Sequence, residues 1–191
     1  MEGTAAEGRA AVTRTAPDLI LLSLPLAGGT AAEIMREIHG ASPAAKLIVQ
    51  VDQIDEHLLH SIRNTTCHGL LFAPDETPAT LGQAISRARQ GLRTISPRIA
   101  ELQAALRNDP LAFPKLLSDR EQQVLGCIAG TMSDAEIGRH LGLSAETAHS
   151  HRKRIMKKLG INSTPHLIRY SLAKGFDAAT PPSSGRASSL Q

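Results

Sequence analysis

The feature that most constrains this chain is its C-terminal third, where the pattern is helical throughout and each segment has its own start and stop. SDREQQVLGCIAG, SDAEIGRHLG, SAETAHSHRKRIMKKLG and TPHLIRYSLAKG follow one another from Ser118. Ser118 with Glu121, and Ser133 with Glu136, have the spacing at which a side-chain oxygen and a carboxylate satisfy each other's backbone N–H groups at a helix start. Gly130, Gly142, Gly160 and Gly175 stand where each helix must stop. The pattern predicts a compact all-α module of four helices over residues 118–176. Its second and third helices are joined by Gly142, Leu143 and Ser144, the short glycine-containing connection of a helix-turn-helix.

The third helix decides between that motif and an ordinary helical hairpin. At 100° per residue, Ala148, His151, Ile155 and Leu159 share one face and would bury against the other helices. Ser150, Lys153 and Lys157 fall opposite, flanked by His149 and Arg154. Within His151–Lys158, HRKRIMKK carries five positive charges and no negative one, whereas solvated faces interleave both signs. The asymmetry extends to the domains: residues 118–176 hold nine Lys and Arg against five Asp and Glu, while residues 1–117 hold 11 against 12. Such a patch is an electrostatic footprint for a polyanion. With three Phe, one Tyr and no Trp, the chain lacks the aromatic platforms on which single strands stack. Duplex DNA is the partner this predicts, with short polar groups toward base edges and long cations toward phosphates.

Upstream, short apolar runs alternate with helical stretches. DLILLSLPL, KLIVQV and GLLF read as buried strands, with TAAEIMREIHG, DEHLLHSIRN and TPATLGQAISRARQGLR as helices between and after them. Thr77 stands as a helix cap with Pro78 at the first helical position. This alternation predicts a parallel sheet with right-handed crossovers and helices on both faces. SPRIAELQAALRND adds a helix from Ser96, and NDPLAFPKLL, with two prolines, reads as a linker over 108–117. The expected organisation is an α/β domain over 1–107, the linker, the helical module over 118–176, and a disordered Pro/Ser-rich tail over 177–191. No apolar stretch approaches the roughly 20 residues that span a bilayer, and the first residues lack the apolar core of a signal peptide. Cys67 and Cys127 fit no disulfide or metal framework. A cytoplasmic protein without metal or cofactor is expected.

The helical module resembles the LuxR/NarL-type helix-turn-helix of bacterial response regulators. The resemblance runs through Leu117-Ser118, Arg120-Glu121, Ile137, Leu141, Ser144, Thr147, His151, Ile155, Lys158-Leu159-Gly160 and Leu172 to Gly175. It implies that the third helix enters the major groove and the fourth mediates dimerisation. Thr147 and Lys157 would then hold phosphates, while His149, Ser150 and Lys153 would face bases and Arg154 would flank them. His149 suits either groove contact or plain solvation, His151 a structural or phosphate role, and Arg152 a pairing with an acid of the module's first helix. The family commonly carries Val and Lys where this chain has Ala148 and His149, so base preference does not transfer. An apolar stripe of Leu167, Ile168 and Leu172 on the fourth helix is the expected contact of a homodimer.

Residues 18–107 resemble a response-regulator receiver, through PDLILLS, SPAAKLIV, GLL and ISP in order. The implied fold is an incomplete receiver-like, flavodoxin-like parallel sheet lacking the family's first strand and helix. Its chemistry departs from the pattern. Ser23 stands where an acyl phosphate needs an aspartate, Val51 replaces the switch hydroxyl, and Ala73 replaces the lysine. The acidic pair that would hold a metal is missing as well. The expectation is a sequence-specific regulator of transcription, not an enzyme and not controlled by aspartyl phosphate. The alternative is a protein-interaction module or small-molecule sensor, in which the receiver-like domain docks a partner or ligand. The sheet edge left by the missing strand is covered by a partner protomer, absent because the sheet is arranged differently, or produced by a misplaced start codon.

Overall fold

The computed structural model describes residues 4–27 and 29–176 and divides into one compact unit ending at Asn108 and a second beginning at Asp109. The expected tail, 177–191, lies outside the described residues.

In the first unit, β1 (Leu19–Leu24), β2 (Lys46–Val51), β3 (Gly69–Phe72) and the two-residue β4 (Thr94–Ile95) form one parallel sheet in that order. Leu22 pairs with Val49, and Val49 with Leu70. Because successive side chains alternate across a strand, Leu22, Leu24, Leu47, Val49, Val51 and Leu70 share one face and one core. Helices α1 (Ala5–Thr15), α2 (Ala31–Ala41), α3 (Glu56–Ser61) and α5 (Pro97–Asn108) supply the rest of that core, with Ile34, Met35, Ile38, Leu59 and Ile99 buried. Each such aliphatic side chain contributes roughly 1.5–3 kcal/mol on burial. The other face carries Ile48 and Leu71 against Ala84 and Ala88 of α4 (Pro78–Arg89). A Cβ on Gly69 would stand 3.0 Å from the Ile48 side chain, so glycine lets β3 lie close there.

The parallel receiver-like sheet is as expected, with two additions. β4 is new, and so is α1, which starts with a complete capping box between Thr4 and Glu7. The Thr-x-x-Glu spacing was legible, but the alanine-rich segment offers no apolar stripe to announce a helix. α2 also runs through Gly40 to Ala41, with Ser42 as its cap. β1 forms the sheet edge among the described residues, and on the α4 side its Leu21 remains 42% exposed.

The second unit holds α6 (Phe113–Leu116), α7 (Asp119–Ala129), α8 (Asp134–Leu141), α9 (Ala145–Leu159) and α10 (Thr164–Ala173). Its core joins Phe113, Leu117, Val124, Leu125, Ile128, Ile137, Ala148, Ile155, Leu167 and Phe176. Two expectations need correction here. The segment 108–117 is not a bare linker: it makes the helical turn α6, and Phe113 and Leu117 are buried in this core. The Phe113 ring meets Phe176 edge-on at 5.1 Å, an arrangement favoured by the ring quadrupoles. Leu167, expected at a dimer contact, is wholly buried in the module's own core, because α10 packs that side against α7.

Candidate nucleic-acid interface

The site is built by α8, its turn and α9. Gly142 ends α8 in the left-handed region (φ 66°), which only glycine enters without steric cost. The Leu143 N–H donates to the Gly138 carbonyl at 2.8 Å, folding the turn back on α8. A Cβ on Gly138 would lie 2.7 Å from the Leu143 oxygen, so the two segments touch backbone to backbone. Ser144 caps α9 by accepting the Thr147 N–H at 3.0 Å. Ala148 and Ile155, both fully buried, then fix the rotation of α9.

That rotation presents Thr147, His149, Ser150, Lys153, Arg154 and Lys157 on the exposed side, and the structure brings all six onto one helix surface. Among the described residues, Lys153, Arg154 and Lys157 form no ion pair. The other two cations of the run are engaged. The Lys158 ammonium donates to Glu121 Oε2 at 2.7 Å. Arg152 Nε donates to Asp134 Oδ1 at 2.8 Å and a second guanidinium nitrogen donates to the Met132 carbonyl at 3.1 Å. Arg152 therefore pairs with an acid of α8, not of the module's first helix as expected, and is only 11% exposed. His151 is half-buried, with its Nδ1 enclosed and without a hydrogen-bond partner among the described residues. Arg120 reaches from α7 to donate to the Leu141 carbonyl at 2.6 Å, satisfying a free carbonyl at the end of α8.

Asp134 escaped the sequence reading. It opens α8 and accepts from both Arg152 and His149, whose Nδ1 lies 2.9 Å from Asp134 Oδ2. Burial opposes ionisation of the Asp134 carboxyl, but the hydrogen bonds and charges of Arg152 and His149 outweigh it and hold the group below the usual aspartate range. Its position directly after the Ser133 cap gave only the signal of a first-turn acid.

The two remaining sets of predicted residues are placed less uniformly. On α10, Leu172 is 52% exposed, Ile168 is partly buried against the core, and Leu167 is inside it. In the first unit, Ser23, Val51 and Ala73 lie at the carboxyl ends of neighbouring strands but do not form one group. Ser23 is exposed on the α4 side, Val51 is buried on the opposite face, and Ala73 is half-buried at the start of a 3₁₀ turn (Ala73–Asp75).

A profile described as "Bacterial regulatory proteins, luxR family" matches residues 115–171. The chain is 31% identical over 188 residues to the oxygen regulatory protein NreC of Staphylococcus aureus (strain bovine RF122 / ET3-1), covering 90% of this chain and 84% of that protein. Two solved structures share the fold. RcsB of Salmonella enterica serovar Typhimurium bound to promoter P1flhDC has a TM-score of 0.56 at 20% identity, over 88% of this chain and 82% of that one. A structure of two RcsB dimers bound to two parallel DNAs has a TM-score of 0.55 at 18% identity, over 89% and 82%.

Proposed function

Because the chain belongs to the LuxR-type response regulators, DNA-binding regulators of transcription and not enzymes, we propose that it reads duplex DNA through α9 and is not switched by aspartyl phosphate. The observation that carries this reading is the exposed face of α9. Thr147, His149, Ser150, Lys153, Arg154 and Lys157 stand together there, and three long cations lack any acidic partner among the described residues. A helix so held offers short groups to base edges and ammonium or guanidinium groups to phosphates. The promoter-bound RcsB structure is a precedent for the same fold on DNA. The chain acts as a homodimer, with Leu172 and the exposed part of Ile168 at the contact between two α10 helices.

Independence from phosphoryl transfer is supported by chemistry. An acyl phosphate requires a carboxylate, and a serine hydroxyl at position 23 supplies none. Val51 offers neither a hydroxyl nor exposure, and Ala73 carries no charge to neutralise a phosphoryl oxygen.

The test uses the full chain and a random-sequence duplex, with and without acetyl phosphate and Mg²⁺. The expected result is a salt-sensitive shift of the duplex that the phosphodonor does not alter, with no added mass on the intact protein. A covalent adduct removed by hydroxylamine would overturn the phosphate-independent reading. A second reading, in which the first unit docks a protein partner and DNA contact is secondary, draws on the exposed Leu21 of β1, the edge strand among the described residues. A duplex that fails to shift would favour it.

A further inference from the structure

We infer that the His149–Asp134 pair makes base selection by α9 depend on pH, with Asp134 as the positioning residue and His149 as the reader. The inference rests on the assignment of α9 as the helix that meets DNA.

The argument starts from hydrogen-bond inventory. An ionised carboxylate accepts but cannot donate, and Asp134 is ionised at neutral pH because its carboxyl sits below the usual aspartate range. The 2.9 Å contact with His149 Nδ1 therefore places a hydrogen on Nδ1. With that nitrogen committed, the ring has one remaining edge, Nε2. The side chain is 51% exposed, on the side of α9 that carries Ser150 and Lys153. His149 is the fifth residue of the helix, in the region where such helices approach base edges.

What Nε2 recognises depends on the ring's charge. In the neutral ring with Nδ1–H, Nε2 is an acceptor and suits the amino groups of cytosine N4 or adenine N6 in the major groove. In the protonated ring, Nε2–H is a donor and suits guanine O6 or N7. Asp134 accepts from Nδ1 in both states, so the ring keeps its orientation while its free edge inverts from acceptor to donor.

Asp134 is itself held from a second side by Arg152, which is anchored to the Met132 carbonyl. The ring meets Asp134 on α8, and the charged residues one turn from it along α9 are Glu146 before it and Arg152 and Lys153 after it. Among the described residues, the charges on the other elements packed against α9 make no hydrogen bond to the ring. Glu121 on α7 holds Lys158, Arg120 holds the Leu141 carbonyl, and Lys115 on α6 donates to the Asp109 carbonyl.

The experiment is selection from a random-sequence duplex library by the full chain, at about pH 5.5 and about pH 8. For the unaltered chain, one position of the selected site should change from cytosine or adenine at the higher pH to guanine at the lower, with a preference of about fivefold to tenfold each way. His149→Gln, at an exposed position, should still select a site, with the same base at both pH values. Asp134→Asn, confirmed as folded by thermal melting, should weaken the preference at both pH values. The inference would be overturned by one site at both pH values in the unaltered chain, a base change that persists in His149→Gln, or full preference retained in Asp134→Asn. A pH effect equal on all sequences would also overturn it, since it would mark His149 as a phosphate contact. Failure to select any sequence would overturn the DNA-reading assignment of α9 as well.

Discussion

Lys158 Nζ lies 2.7 Å from Glu121 Oε2, tying the last turn of α9 to the carboxylate that also caps α7 through Ser118. Glu121 is 4% exposed, so its charge depends on these partners. Burial pushes its carboxyl up, but the Lys158 and Ser118 hydrogen bonds and the Lys158 charge bring it below the ordinary value of 4.5. A carboxyl lowered on folding contributes stability that is complete above its unfolded value of about 4.5 and is lost as pH falls through the folded value. Lys158→Met should destabilise the helical module by about 1–3 kcal/mol near neutrality, because a buried carboxylate loses a charged donor. Its acid unfolding should also begin at higher pH. Urea denaturation between about pH 3 and pH 7 checks both, and an unchanged acid limb would show the pair to be idle.

Thr131 follows the end of α7 with φ 58°, a left-handed conformation that a β-branched residue enters only under strain. The helix stops at Gly130 as expected, but the left-handed conformation falls on the next residue, since Gly130 itself has φ −75°. Replacing Thr131 by Gly should stabilise the module by about 0.5–1 kcal/mol, because relief of strain exceeds the entropic cost of glycine. A raised urea midpoint at constant slope is the expected reading. A lowered midpoint would mean that the threonine side chain contributes more than its backbone costs.

Lys153 and Lys157 lie one turn apart on the exposed side of α9, and Lys153 is nearer the helix start. Lys157→Ala should weaken binding to all duplexes alike and lower the salt slope by roughly one unit, as loss of one phosphate contact requires. Lys153→Ala should cost about 1–3 kcal/mol on the preferred site and less elsewhere, compressing the specificity ratio. Titrations of both variants on selected and scrambled duplex at several salt concentrations separate the roles. A ratio preserved in Lys153→Ala would mean that α9 lies differently in the groove.

Leu167 and Leu172 are five residues apart on α10, one wholly buried and the other 52% exposed. Leu167→Ala should lower the stability of the module by about 2–5 kcal/mol, the cost of a cavity in a packed core. Leu172→Lys should leave thermal stability close to unchanged and reduce the dimeric fraction on DNA in sedimentation. A charged Leu172 variant that remained fully dimeric would remove α10 from the proposed contact.

The order of elements was legible in the sequence because its signals are local. A capping box such as Ser133 with Glu136, and an apolar alternation such as KLIVQV, are satisfied within a few residues, so the chain needs no tertiary context to display them. The exposed face of α9 was legible for the same reason: helical periodicity separates Ala148 and Ile155 from Ser150 and Lys153. Only the tertiary structure decided which charges on that helix stay free. Lys158 meets an acid 37 residues away and Arg152 one 18 residues away, while Lys153, Arg154 and Lys157 meet none among the described residues. Five cations in one run look alike by spacing, and the partners of Lys158 and Arg152 come from α7 and α8. Leu167 and Leu172 posed the same problem in apolar form, since an apolar position on a short helix shows that it seeks burial but not which neighbour provides it. Phe113, between prolines in a segment without periodicity, gave no local sign that it would meet Phe176 across the core. Non-local packing settles these questions because it depends on how helices cross, which no window of sequence contains.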